Sequence, residues 1–193
     1  CKSESLTAGG WGSADGSYDF FKYGTSAARH PIDEIEGDTA LRACLENGHK
    51  WFKCVVPFGL DNMSYKGASE KGRAKVTRLN RLCVRSFVFQ VKFNFVFEPF
   101  WLSSADNLCA DSLSRFDEDL FLAEIHQAGI LAAGASLHRH PEAGRTVTFD
   151  SGVQSNDLRV LRQCLQEFSS NPDLDGAGSR SSGSLAMIAW PEK

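Results

Sequence analysis

Residues 51–60 form an apolar, β-prone run with a single charged side chain, and this run constrains the fold more than any other segment. Such an apolar run predicts a buried strand at the centre of a sheet, with other parts of the chain covering both faces of that sheet. The strand would deliver Asp61 and Asn62 to its C-terminal end, where open α/β sheets bind ligands. The same pair also suits a strand-ending turn or a helix N-cap, and the sequence favours neither interpretation.

The residues before this strand predict a hairpin followed by an acidic helix. Residues 5–12 and 17–24 are rich in glycine and aromatic side chains, and a turn signal at residues 15–16 separates them, so we expect two antiparallel strands. Over residues 32–47 apolar side chains recur at three- and four-residue spacing, which predicts a helix. Acids in its first turns suit the helix dipole, but Glu36 lies beside the apolar stripe and is expected to point into a cleft.

A basic segment follows the central strand. Residues 63–72 predict a short helix that ends at a glycine, and residues 73–87 predict an amphipathic helix. From residue 71 to residue 92 there are seven basic residues and no acid. Such a surface is either a solvated helix face or a contact for phosphates, and the sequence leaves both open. The expected apolar face of this helix consists of Val76, Leu79, Cys83 and Phe87.

The phenylalanine-rich run at residues 87–102 predicts that the helix gives way to a strand near residues 90–93. Phe93, Phe95 and Phe97 would share one side of that strand. Residues 101–115 then pass through a polar turn into a short helix. Asp111 sits just inside this helix, where a carboxylate can face a metal or a phosphate, although an acid there also suits the helix dipole alone.

The composition bounds the class of protein. Of the 193 residues 42% are hydrophobic and 23% are charged, as in a globular protein with a core. The net charge of −3 means that nucleic-acid binding would have to come from a local basic face. No apolar stretch reaches roughly 18 residues, so no membrane contact is expected. Six scattered cysteines predict a reduced, intracellular protein of the cytoplasm or nucleus, and the pair His138 and His140 lacks a third metal ligand at a recognisable spacing.

The signal weakens after residue 115, where we expect a boundary. Residues 1–115 would form one domain, residues 116–168 a helical extension, and residues 169–193 a flexible tail rich in serine and glycine. Within the second and third regions the patterns predict a helix over residues 117–133, a short strand over residues 145–153 and a helix over residues 156–168.

Three stretches resemble the ribonuclease H domain of retrotransposon polyproteins, most closely that of elements that pair a reverse transcriptase with a tyrosine recombinase. Residues 32–40 look like the helix that carries the family's catalytic Glu. Residues 59–62, followed by Lys71, look like its Asp-Asn strand end and the next helix. Residues 101–115 match its closing motif, Trp-x-x-Ser-x-x-Asn-x-x-Ala-Asp-x-x-Ser-Arg. The resemblance implies an RNase H-like mixed sheet, with antiparallel first strands and parallel later strands, flanked by helices.

The resemblance also implies a site. Glu36, Asp61 and Asp111 would be the catalytic residues and the ligands of Mg2+, or of Mn2+ in its place, since hard cations take oxygen ligands. The implied substrate is an RNA–DNA hybrid or another nucleic acid, and the implied partner is the reverse transcriptase portion of the same polyprotein. The residues implied in nucleic-acid binding are Asn62, Lys71, Arg73, Arg78 and Arg81.

One feature departs from the family pattern. The family's first catalytic Asp stands shortly before a Gly-Trp-Gly-like segment, yet no Asp precedes residues 10–12 here, and Glu4 is the only acid upstream. Either Glu4 substitutes, or the site is inactive, or the sequence is a fragment whose Asp lies before Cys1; the missing initiator Met favours the fragment. In every case we expect an impaired nuclease. The alternative function is a non-catalytic relic that serves as a nucleic-acid-binding or connector module.

Overall fold

The computed structural model describes residues 7–129, 131, 134–149, 159 and 162, and it is a mixed α/β fold with antiparallel and parallel strands flanked by helices. The strands are β1 (Ala8–Gly12), β2 (Ser17–Tyr23), β3 (Val55–Leu60), β4 (Val96–Trp101), β5 (His138–Arg139) and β6 (Thr146–Val147). The helices are α1 (Ile32–Asn47), α2 (Met63–Glu70), α3 (Thr77–Phe93), α4 (Leu108–Ser114) and α5 (Glu118–Ala128).

The strands form two sheets. β1 and β2 are antiparallel, with Gly10 opposite Phe20, and both β5 and β6 pair with β2 in parallel. β3 and β4 pair in parallel, with Val55 opposite Val96. The predicted hairpin is confirmed. The strand predicted over residues 51–60 is confirmed only for Val55–Leu60, as β3. Its predicted central position is not observed, because within the described residues β3 pairs with β4 alone.

The helix predicted over residues 32–47 is confirmed as α1. It packs against β1, α2 and α3, and its buried side chains Ile35, Leu41 and Cys44 enter the main core. Its acids do more than complement the helix dipole, because several are buried in contacts with other parts of the chain. The pairs are Glu34 with His30 at 2.9 Å, Asp33 with Arg78 at 3.2 Å, and Asp38 with Arg85 at 3.2 Å.

The boundary between α3 and β4 corrects one predicted face. α3 continues to Phe93, and Asn94 adopts a left-handed conformation with φ of 52° that ends the helix. β4 begins only at Val96. Phe93 therefore belongs to the helix and does not share a strand face with Phe95 and Phe97, both of which are buried.

The predicted apolar face of α3 is also wrong in part. Leu79 and Cys83 are buried as expected, but Val76 and Phe87 are 41% and 51% exposed. Val76 precedes the helix as its N-cap residue, and Phe87 lies two four-residue steps after Leu79, which turns it by roughly 80° away from that side chain. The side chains that α3 buries are Leu79, Leu82, Cys83, Ser86, Val88 and Phe89.

The described residues between 116 and 149 pack against the rest of the fold. The fully buried Phe121 of α5 lies against Tyr18 of β2, with ring centroids 4.7 Å apart. β5 and β6 extend the sheet beside β2, and β6 accounts for the short strand predicted over residues 145–153. The boundary expected at residue 115 therefore does not coincide with a break in packing.

Two predictions fall outside the described residues: the helix over residues 156–168, apart from residues 159 and 162, and the tail of residues 169–193. Across the described part of the chain, no helix has the length and apolarity needed to cross a membrane. The described cysteines are free thiols: Cys44, Cys54, Cys83 and Cys109.

We expect Phe121→Ala to lower the free energy of unfolding by about 3–5 kcal/mol, because removing a fully buried ring leaves a cavity against Tyr18. The matched control is Leu120→Ala on the same helix, whose side chain is 46% exposed and should cost under about 1 kcal/mol. Urea denaturation followed by tryptophan fluorescence measures both. Equal, small losses would contradict the inclusion of α5 in the cooperative fold.

Candidate functional site

A cavity of about 320 Å³ brings together the three acids that the sequence predicts as metal ligands. Glu36 comes from α1, Asp61 directly follows the last residue of β3, and Asp111 lies in the first turn of α4. The wall of the cavity also includes all of β1 and the end of β3. Residues far apart in the sequence thus face one space.

The carboxylate of Asp61 is held by Asn107. The Asn107 amide Nδ2 donates a hydrogen bond of 3.0 Å to Oδ2 of Asp61. Asn107 is the N-cap residue of α4, four positions before Asp111, so one helix start carries both side chains on the same face. Sequence reasoning placed Asn107 in the closing motif without giving it a role. Its spacing from Asp111 could have placed it on the same side of the helix start, but the sequence held no signal for its bond to Asp61, which lies 46 positions away.

Glu36 is the most perturbed acid of the cavity. Its Oε2 atom is buried and has no hydrogen-bond partner among the described residues. Burial, followed by the negative charge of Asp61, raises the pKa of Glu36 to about 7, while a hydrogen bond from Asn62 acts in the opposite direction. A cation beside Glu36 would therefore relieve an existing electrostatic cost.

Asn62 is the N-cap residue of α2, which is one of the two roles that the sequence left open for it. Its Oδ1 accepts a hydrogen bond of 2.9 Å from the backbone N–H of Tyr65 and so caps α2. Because its side chain is engaged both there and with Glu36, Asn62 links the start of α2 to the acidic cavity. Its contact with nucleic acid stays a prediction.

Asp111 is paired with Arg115, four residues later on the surface of α4. The guanidinium Nη2 of Arg115 lies 2.8 Å from Oδ2 of Asp111. The side chain of Arg115 is 71% exposed and that of Asp111 is 46% exposed. An exposed pair of this kind is worth about 0–1 kcal/mol, so a stronger ligand can displace Arg115.

The three carboxylates share the cavity without forming a tight cluster. Among the described residues, the group of potential ligands whose atoms all lie within 4.8 Å of one another is instead Asp19, Glu46 and His140. A two-ion site distributes its acids over two ions about 3.5–4 Å apart, so a wider arrangement of acids is compatible with it. The oxygen-only donor set and the unpartnered oxygen of Glu36 suit Mg2+.

The tight group around Asp19 is an ion-pair network centred on Arg145. The guanidinium lies 2.8 Å from Oδ2 of Asp19 and 2.7 Å from Oε1 of Glu46, and its Nη1 is 3.1 Å from Nδ1 of His140. It supplies the positive charge that a metal would supply, and it joins β2 and α1 to the segment before β6. The sequence offered His140 with His138, whereas the acids that surround His140 come from distant elements.

The basic residues predicted to bind nucleic acid fall into two groups. Arg78 pairs with Asp33, and the neighbouring Arg85 pairs with Asp38, so acids of α1 neutralise part of the basic face predicted on α3. The second group is exposed and forms no ion pair within the described part of the chain; it consists of Lys71, Arg73 and Arg81.

Comparison with known protein families, with curated proteins and with solved structures gave no match.

Glu36→Gln tests the electrostatic cost at the cavity. A carboxyl whose pKa rises from 4.5 to about 7 on folding binds more protons in the folded state between these values, so stability is lost as pH rises through that window. We therefore expect Glu36→Gln to raise the free energy of unfolding by about 1–3 kcal/mol at pH 8 in the absence of divalent ions.

The gain should shrink as the pH falls toward 4.5, the ordinary pKa of the Glu36 carboxyl. Urea denaturation over this pH range measures it, with the exposed Glu98→Gln as the control that changes little. A pH-independent difference between Glu36→Gln and the wild type would contradict the assignment.

Proposed function

We propose that this chain is a ribonuclease H-type domain, with an RNase H-like fold, from the polyprotein of a retrotransposon that pairs a reverse transcriptase with a tyrosine recombinase. Its substrate would be the RNA strand of an RNA–DNA hybrid. The observation that carries the proposal is that Glu36, Asp61 and Asp111, from three motifs separated in sequence, line one cavity. The order of elements supports it: an antiparallel hairpin, an acidic helix, and two parallel strands that each lead to one of the other acids.

The chain's own side chains prepare this cavity for cations. Mg2+ or Mn2+ ions held by the three carboxylates would supply the charge that activates water and stabilises the leaving oxygen in phosphodiester cleavage. Oε2 of Glu36 is already desolvated and without a partner among the described residues. Asn107 fixes one oxygen of Asp61 and leaves the other for a ligand.

The exposed cations suggest how a nucleic-acid strand would run. α2 starts directly after Asp61 and Asn62 and contains eight residues, so Lys71 at its end is separated from the helix start by about 12 Å along the helix axis. A duplex whose axis followed α2 would bring Lys71 and Arg73 near phosphates about three to four nucleotides from Asp61, at ~3.4 Å of duplex axis per nucleotide of one strand. The 2′-hydroxyl groups in the wide minor groove of a hybrid would distinguish RNA from DNA.

The family uses a further Asp that this sequence does not supply before residues 10–12. Loss of one ligand from a two-ion site costs several kcal/mol of transition-state stabilisation, or roughly three or more decades in rate. We therefore propose a weak nuclease, and the competing proposal is a relic that binds nucleic acid without cleaving it.

We expect slow, divalent-ion-dependent cleavage of the RNA strand of a labelled hybrid under single-turnover conditions with excess protein. Asp61→Asn should lower the rate at least about tenfold, because it removes a charged ligand from the proposed two-ion site. The exposed Asp119→Asn on α5 is the matched control and should leave the rate unchanged. Equal cleavage rates for the wild type and Asp61→Asn would contradict the assignment of Asp61 as a catalytic residue. Binding of the hybrid without cleavage in either Mg2+ or Mn2+ would support the competing proposal of a non-catalytic relic.

The double variant Arg73→Gln and Arg81→Gln tests the basic surface. Each lost phosphate contact should reduce the slope of log affinity against log salt by about 1, so the double variant should lose about 2 and bind the hybrid more weakly. Fluorescence anisotropy at several salt concentrations measures the slope. Lys53→Gln, which removes one exposed cation at the opposite end of β3 from Asp61, is the control. A loss of slope in this control half as large as that of the double variant would show only a general charge effect.

A further inference from the structure

The three acids of the cavity differ in the charge of their partners. The Oε2 atom of Glu36 has no hydrogen-bond partner among the described residues, and Asp61 accepts a hydrogen bond from the neutral amide of Asn107. Asp111 is instead paired with the guanidinium of Arg115, whose Nη2 lies 2.8 Å from Oδ2 of the acid. Because Asp111 lines the cavity, this ion pair places a positive charge at the cavity wall.

The backbone of Arg115 is held in place, whereas its side chain extends into solvent. Arg115 is the C-cap residue of α4, and its N–H donates to the carbonyl groups of Asp111 and Ser112 at 3.1 Å each. The next residue, Phe116, packs its ring edge-on against Phe20, with ring centroids 5.3 Å apart. The side chain of Arg115 is 71% exposed. The guanidinium can therefore leave Asp111 through a change of side-chain rotamer, without any movement of α4.

A divalent cation is a stronger partner for Asp111 than Arg115 is. Mg2+ approaches a carboxylate oxygen to about 2.0–2.1 Å and carries twice the charge of a guanidinium. The pair with Arg115 is exposed to water, where an ion pair gains little and is screened by salt. Even with Arg115 in place, burial and the negative charge of Asp61 raise the pKa of Glu36, so the cavity still lacks positive charge.

A guanidinium displaced from Asp111 would lie beside any phosphate that the cation binds. Arginine suits this contact, because its planar group donates two parallel N–H bonds to phosphate oxygens. A phosphate oxygen on the same ion would lie about 4 Å from the carboxylate, two metal–oxygen distances away. Since the Arg115 guanidinium already reaches that carboxylate, it also reaches such an oxygen.

We propose that Arg115 is an internal counter-ion of Asp111, that a divalent cation displaces it, and that the displaced guanidinium then binds a phosphate oxygen of the nucleic-acid strand. The step is an exchange of ionic partners, and no covalent bond forms or breaks. It couples the binding of the cation to the binding of the strand through one side chain. The inference rests on the proposed function, because the cation and the strand are the ligands of that proposal.

The binding of Mn2+ at low salt, followed through the electron paramagnetic resonance of the free ion, tests the exchange. We expect Arg115→Gln to bind Mn2+ about threefold to fivefold more tightly than the wild type, because the ion no longer competes with a guanidinium. Arg115→Lys keeps a cation beside Asp111 and should stay close to the wild type. Arg139→Gln is the matched control, because it removes an exposed arginine that pairs with Glu118 outside the cavity, and it should leave the affinity unchanged.

Fluorescence anisotropy with the labelled hybrid tests the transfer of the guanidinium to phosphate. The slope of log affinity against log salt is measured in EDTA and in Mg2+, within the time in which a gel shows the RNA strand intact. We expect Arg115→Gln to reduce the slope by about 1 in Mg2+ and to leave it unchanged in EDTA, where Asp111 holds the guanidinium. Arg139→Gln should have the same small effect in both solutions.

Equal Mn2+ affinities of Arg115→Gln and the wild type would overturn the proposal and leave the pair as a helix-stabilising contact. An equal gain in Arg139→Gln, or an equal loss of slope in EDTA and in Mg2+, would also overturn it. Asp61→Asn separates this failure from that of the proposed function. If Asp61→Asn weakens Mn2+ binding and Arg115→Gln leaves it unchanged, only the role of Arg115 is wrong. If the wild type binds neither Mn2+ nor the hybrid, the proposed function fails as well.

Discussion

The buried carboxylate of Asp38 fixes the position of α1, and the two sheets depend on that helix. Asp38 is 1% exposed and is bound by Arg42 at 2.8 Å, by Arg85 of α3 at 3.2 Å and by the hydroxyl of Tyr23 in β2 at 3.0 Å. A buried carboxylate without such partners would cost several kcal/mol, so the rotation of α1 that satisfies Asp38 is strongly preferred. Glu36 lies two residues earlier, about 200° round the helix, and the same rotation turns it toward the cavity.

Local chemistry explains what could be predicted. α1, α2 and the hairpin of β1 and β2 follow from periodic apolar residues and from turn or stop signals within a few positions, and the structure confirms them. The sheet could not be predicted to the same extent, because pairing joins residues far apart in the chain. β5 and β6 contain two residues each, too few to show an alternating pattern, yet they pair with β2 more than a hundred positions away.

The candidate site, like the fold, could be predicted from the sequence only in part. The three motifs pointed to Glu36, Asp61 and Asp111, and these three acids line one cavity. Their roles as metal ligands and catalytic residues stay predictions. The sequence could not show that Asn107 holds Asp61, because that bond crosses from α4 to β3. It also could not show that Arg78 is engaged by Asp33, since an acid-free segment says nothing about acids on the neighbouring helix. Among the described residues, exposed cations that form no ion pair lie in the connection between α2 and α3, at Lys71 and Arg73.

The three acids line one cavity, so any ligand that fills it would alter the electrostatics of the site. Such a ligand would displace water from beside Glu36, and desolvation is already the largest cause of the raised pKa of that carboxyl. Without a compensating charge, further desolvation favours the protonated carboxyl still more. With a cation present, the same loss of water strengthens the attraction between the carboxylates and the ion. A filled cavity would therefore make the binding of a cation and the ionisation of Glu36 more strongly coupled than they are in the open cavity.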